Sequence, residues 1–142
     1  VRAISLWQPW ASAWVIGVKG PETRGWSTHY RGPLAVHAAV RWTADQREFA
    51  ATEHTLGRLP ERLPLGAIVG VVDLVDVKPT DEAVFGISPV EKLYGDYSPG
   101  RFAWFVENCR PLPEPIPFRG HQSFFAIPDD LLPVEFRPRV LL

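Results

Sequence analysis

Residues 17–24 read Gly17-Val18-Lys19-Gly20-Pro21-Glu22-Thr23-Arg24, and they mark the switch from a helix to a strand. Upstream, Trp10 and Trp14 are four apart and share one helical face, with Ala11 and Ala13 keeping the other side slim. Pro9 suits the first turn, where a missing N–H costs little. Gly17 is a natural terminator. Downstream, Thr23–Trp26 is expected to be a short strand with Glu22 at or just before it, so Glu22, Arg24 and Trp26 point one way. A cation, a carboxylate and a second cation thus fall within six positions. Such a trio suits a phosphate or a base edge, and does not by itself say whether anything is cleaved.

Outward from this stretch, Ala3–Trp7 reads as a strand and His29–Pro33 as a turn. Leu34–Ala39 is a strand with Leu34, Val36 and Ala38 on one side and His37 on the other. Thr43 can cap a helix running to about Leu56, ahead of Gly57. The valine-rich Ala67–Val77 is the strongest strand signal. Thr80 to Tyr94 holds short helical pieces, and Arg101–Asn108 is another strand. Prolines at 111, 113, 115 and 117 make that segment an extended connector rather than a helix. Asp129–Leu132 fits one helical turn, and Glu135–Leu142 an edge strand or tail. Five to six strands with two to three helices, too unevenly connected for a regular βαβ array, give a mixed α+β fold built on a small barrel.

The 142 residues suit one domain spanning 1–142, large enough for a core without metals or disulfides. Cys109 is the only cysteine, which excludes an intrachain disulfide and argues against a cysteine-built zinc site. No metal spacing or cofactor fingerprint is present. No apolar run is long enough to span a bilayer. The segment Ala3–Val18 is interrupted by Gln8 and Pro9 and does not read as a leader peptide. A cytoplasmic setting fits these features, while the oligomeric state has no signature.

Net charge is −1, which argues against coating nucleic acid through bulk charge. The charge is uneven, however. Residues 1–42 carry Arg2, Lys19, Arg24, Arg31 and Arg41 against Glu22 alone, whereas 43–98 hold twice as many carboxylates as cations. A local basic surface near the N-terminal elements is expected.

Several strings together resemble one family. Ser5-Leu6-Trp7-Gln8-Pro9-Trp10, then Gly17-Val18-Lys19 with Glu22 and Arg24, then Tyr30-Arg31-Gly32-Pro33-Leu34 before His37, look like the ASCH domain. That domain, the activating signal cointegrator 1 homology domain, belongs to the PUA-like superfamily. Leu65–Gly70, Trp104–Pro113 and Arg119-Gly120 extend the resemblance over nearly the whole chain. It implies a PUA-type β-barrel with a cleft beside the first helix that binds RNA or a modified nucleotide. It also implies an alternative, a hydrolase acting on RNA or on N4-acylated cytidine. The acylcytidine branch uses a lysine in the Gly-x-Lys segment, matched by Lys19, a nearby threonine and a glutamate from another segment. Here Glu22 takes the threonine's position and Thr23 adjoins it.

The candidate residues follow, each with its plain alternative. Lys19 can contact a phosphate or act as a base; otherwise it is a solvated lysine after a helix. Glu22 can orient Lys19, accept from a base amino group or move a proton; otherwise it is a structural ion pair, and a tight pair with Lys19 makes the lysine a poor base. Arg24 can hold a phosphate through two parallel hydrogen bonds, or lock backbone carbonyls. Arg31 is a further candidate for a nucleic-acid contact, or a turn-stabilising cation. Ser123 is catalytic only if the protein is an enzyme. Trp10 and Trp26 are candidate cleft walls for stacking bases, against a default place in the core. His37 is expected to be buried and hydrogen-bonded. A third reading, a protein-interaction domain, would show itself in the proline-spaced 111–117 segment and an exposed apolar patch.

Overall fold

The computed structural model describes residues 1–52, 55 and 57–138. Among the described residues six strands form one sheet. They are β1 (Arg2–Leu6), β2 (Glu22–Arg24), β3 (Gly32–Ala38), β4 (Ala67–Pro79), β5 (Phe102–Pro117) and β6 (Phe124–Ala126), in the order β2-β5-β4-β3-β1-β6. Only β1 and β3 run parallel; the other pairs are antiparallel. The sheet curls into a half-barrel decorated by helices, so the expected mixed α+β class is the one found. Its edge strands β2 and β6 do not hydrogen-bond to each other. Aromatic rings bridge them instead: Phe124 of β6 meets Trp26 edge-on at 5.2 Å and Trp104 of β5 at 5.7 Å.

Alternation along the strands divides the core. Ile4, Leu6, Leu34, Val36 and Val72 face one side, where they pack with Trp14 and Val15 of helix α1 (Trp10–Ile16). Ala3, Ala35, Ile68 and Val71 face the other, covered by Ile127 and Leu132 near the C-terminal end. The first turn of α1 is closed by Gln8, whose buried amide accepts from Ser12 N at 3.0 Å and donates to Pro64 O at 3.0 Å. The Gln-Pro pair therefore has a structural task. Pro9 precedes the helix rather than opening it. Gly17 ends α1 at φ 87°, a left-handed conformation that costs glycine little.

Thr43 caps α2 (Ala44–Ala50) with a reciprocal capping box to Gln46. The helix ends at Ala50, short of the expected Leu56; residues 53, 54 and 56 lie outside the described residues. Two single-turn helices, α3 (Thr80–Ala83) and α4 (Pro89–Lys92), follow β4. With the 3-10 turns at Val84–Gly86, Asp129–Leu131 and Val134–Phe136, the helical pieces outnumber the two to three expected. The last turn stands where an edge strand over Glu135–Leu142 was an option; residues 139–142 lie outside the described residues.

The connector expected at residues 111–117 is instead the second half of the 16-residue β5, with Pro111 opposite Gly70 and Pro117 opposite Ala67. Between these pairs the register shifts, so 112–115 have no partner in β4 and their missing donors break no ladder bond there. β2 pairs with β5 only over Phe102–Trp104, so among the described residues the outer edge of the proline half has no neighbouring strand.

Candidate functional site

A cavity of about 860 Å³ opens between α1, β2, the end of β1 and the loops 93–101 and 121–123. It exists because β6 is short. Phe124 pairs with Ile4, and the preceding Ser123 sits at φ 56°, which swings the chain away from the sheet. Ser5, one residue beyond, therefore borders open space.

The floor carries charge. Glu22 and Arg24 both line the cavity from β2, two residues apart on one face. Glu22 Oε2 lies 3.4 Å from Arg24 Nη1, which also reaches Ser5 O at 3.5 Å. The other oxygen of Glu22 accepts from Lys19 Nζ. Lys19 itself does not border the cavity. Its side chain is fully buried behind Glu22, and its ammonium lies 5.8 Å from the centre of the Trp14 ring. The turn after α1 sends it inward, because Val18 N and Lys19 N both bond to Ala13 O. The three charged groups thus form a chain in which only Glu22 and Arg24 face the cavity.

Aromatic rings make the walls. Trp10 lines the cavity and stacks on Phe49 of α2 at 5.2 Å, with 24° between planes. Trp26 lines it under the Arg24 guanidinium, 6.0 Å away, and is braced by Trp104, whose indole N–H donates to Trp26 O. Trp7 at the rim is 48% exposed, with the Arg41 guanidinium over its ring at 4.3 Å. Ser123 is exposed on the lip beside His121 and Gln122.

The far wall comes from seventy residues downstream. Leu93, Tyr94, Gly95, Asp96 and Arg101 line it. Three links tie this loop to the region of β2: Glu91 accepts from Gly20 N at 2.9 and 3.0 Å, Asp96 N donates to Thr23 Oγ1 at 2.9 Å, and Arg101 Nη2 donates to Thr23 O at 3.3 Å. The Ser98 hydroxyl and amide hold the Asp96 carboxyl below the usual carboxylate range. Burial, together with Glu91 and Glu22 nearby, pushes the Tyr97 phenol up to about 12, so it neither gives nor takes a proton at neutral pH.

The structure brings together Glu22, Arg24, Trp10, Trp26 and Ser123, sets Lys19 behind them, and puts Arg31 elsewhere. Arg31 bonds to the carbonyls of Thr28 and Tyr30, both at 2.9 Å, and lines a separate cavity of about 1020 Å³. The residues missed from sequence include Ser5, Asp96 and Arg101. Asp96 and Arg101 carry no local signal, since only folding brings their loop here. Among the described residues no group of three or more His, Cys, Asp or Glu side chains could hold a metal ion, and no helix is long and apolar enough to cross a membrane.

The ASCH domain profile matches residues 4–116, which take in β2, β3 and β4 whole, most of β1 and β5, and both Glu22 and Arg24. The chain belongs to the ASCH domain family. Its sequence is 38% identical over 79 residues to activating signal cointegrator 1 of Homo sapiens, and equally to that of Mus musculus. The match takes in 51% of this chain and 14% of each of those proteins, so this ASCH domain corresponds to a small part of their length. Among solved structures, the crystal structure of ASCH from Zymomonas mobilis superposes with a TM-score of 0.56 at 17% identity, covering 92% of this chain and 89% of that one. A serine-to-alanine mutant of the same protein gives 0.56 at 19%, with the same coverage. At these identities the likeness is one of fold.

Proposed function

We propose that this ASCH domain binds RNA, or a nucleotide taken from it, in the cavity beside α1. The observation that carries this reading is Arg24, held by Glu22 and Ser5 O on a cavity floor walled by indoles. A guanidinium with free N–H groups takes a phosphate by paired hydrogen bonds. Trp10 and Trp26 offer flat faces to bases, each worth roughly 1–3 kcal/mol by stacking. Glu22, Asp96 and Gln122 add acceptors and donors for base edges.

The scale of the site supports a short ligand. The net charge of −1 gives little general attraction for a long polyanion, whereas the cavity needs to engage only one or two nucleotides. The place of Lys19 favours binding over lysine-driven hydrolysis. Its ammonium donates to Glu22 and has no lone pair to offer, and its side chain does not border the cavity. It serves as a buried counter-charge that lets Glu22 sit beside Arg24.

Calorimetry with single-stranded tetranucleotides and with nucleoside monophosphates tests the reading. Wild type is expected to bind one tetranucleotide per chain, and Arg24→Ala to lose most of that affinity. Binding of equal strength in a folded Arg24→Ala protein contradicts it. A hydrolytic role would instead release cleaved product from RNA or N4-acetylcytidine.

A further inference from the structure

A second chemistry is built into the same wall from residues outside the Lys19–Glu22–Arg24 chain. Ser5 and His37 are partners across the parallel β1–β3 pair. Ser5 Oγ lies 2.9 Å from His37 Nδ1, and His37 Nε2 lies 2.7 Å from the backbone carbonyl of Phe118. We propose that Ser5 is a nucleophile and His37 its general base, forming an acyl-transfer site for carboxylic esters at the edge of the cavity. This goes beyond the RNA-binding reading and does not rest on it.

The hydrogen-bond directions set the roles. A carbonyl oxygen only accepts, so Nε2 carries the ring proton. In the neutral imidazole Nδ1 then holds the lone pair, and the hydrogen it accepts is that of Ser5 Oγ. A nucleophile in reach of a base, with the base oriented by a third group, is the arrangement nucleophilic catalysis requires. The ring is fixed in place. His37 is 2% exposed, Phe125 meets it edge-on at 6.0 Å, and Gly120 packs so closely that an added Cβ would lie 2.5 Å from Cε1. Burial outweighs the Phe118 hydrogen bond and, with His121 nearby, lowers the imidazole pKa, which keeps the base free at neutral pH.

Access comes from the open end of β1, where β6 has stopped and Ser5 borders the cavity. In the proposed step Oγ attacks the ester carbonyl carbon while Nδ1 takes the hydroxyl proton. The π electrons move to the carbonyl oxygen, which faces the open cavity. As the carbonyl reforms, the bond to the alcohol oxygen breaks and Nδ1–H protonates it, leaving acyl-Ser5. A water deprotonated by Nδ1 then attacks, releasing the acid and restoring Ser5. The third group is a neutral carbonyl rather than a carboxylate, so the imidazolium gains less support than in a Ser-His-Asp triad.

The test is labelling with a fluorophosphonate, read by intact mass and peptide mapping, alongside turnover of p-nitrophenyl butyrate. One adduct on Ser5 is expected, absent in Ser5→Ala and formed about 100-fold more slowly in folded His37→Gln. No adduct at Ser5 in folded wild type, or an unchanged rate in folded His37→Gln, overturns the proposal. Because a buried histidine variant can lose the fold, Ser5→Cys gives a second reading. A thiol at position 5 alkylated by iodoacetamide at least about tenfold faster than the half-buried Cys109 supports the pair; a rate no faster than that of Cys109 overturns it.

Discussion

Glu22 is the sole carboxylate bonded to the buried Lys19 ammonium among the described residues, and that bond explains why a charged lysine can lie in the core beside Trp14. A charge taken out of water is tolerated when it is paired and hydrogen-bonded. The pair also fixes the carboxylate that faces Arg24, so one buried contact sets the electrostatics of the cavity floor.

Breaking that pair from one side is expected to be severe. Lys19→Met leaves a nearly buried carboxylate with Arg24 as its remaining partner and should cost about 3–5 kcal/mol. The double variant Lys19→Met/Glu22→Gln removes both charges and should recover part of the loss. Urea denaturation of the three proteins measures this; a single variant as stable as wild type contradicts the assignment.

Arg24→Ala should act on binding far more than on folding. Its side chain is partly exposed and its two contacts are long, at 3.4 and 3.5 Å. Loss of a charge-assisted contact to a ligand phosphate is expected to cost about 1.5–3 kcal/mol of affinity. The melting temperature should change little, and a large drop would mean that Arg24 is structural.

Gly120→Ala tests how tightly the His37 ring is held. The new Cβ would lie 2.5 Å from Cε1, 2.7 Å from Nδ1 and 3.2 Å from Ser5 Oγ, so the ring has to move. A destabilisation of about 1–3 kcal/mol is expected. The His37 ring proton signals should shift in the NMR spectrum; unchanged signals and stability would contradict the close packing.

His37 also gives stability a pH dependence of defined sign. Its folded pKa lies below the usual 6.5, chiefly through burial, with His121 adding to the fall and the Phe118 carbonyl opposing it. The unfolded chain therefore binds the proton more readily. Stability from this group is full above about 6.5 and declines as pH falls from there toward the folded value. Denaturation midpoints between pH 5 and 8 should show that decline, and a folded His37→Gln variant should lose it. A midpoint that rises on acidification in wild type alone would contradict the sign.

How far the chain announces this arrangement depends on the range of each interaction. Local signals read well: the Thr43 cap, the Gly17 stop and the alternation in β3 each depend on a few neighbouring residues. The proline half of β5 misled, because four prolines remove ladder donors; that β4 leaves 112–115 unpaired at a register shift is a tertiary property. Lys19 was legible as part of a charged trio, but not its direction, which is set by the turn bonded to Ala13 O. Asp96 and Arg101 join the site through contacts more than seventy residues apart in sequence. Ser5 and His37 meet only through the parallel register of β1 and β3, which neither strand encodes alone.

The most direct test follows the indole N–H signals of the tryptophans by NMR while a short single-stranded RNA is added. Trp7, Trp10 and Trp26 line the cavity, whereas Trp14 is buried in the core and Trp42 lies by a different cavity. Saturable shifts are expected for the first three, with steady signals for Trp14 and Trp42 and loss of the shifts in Arg24→Ala. Shifts confined to Trp42, or no shift at any RNA concentration with the protein folded, would contradict the proposed binding.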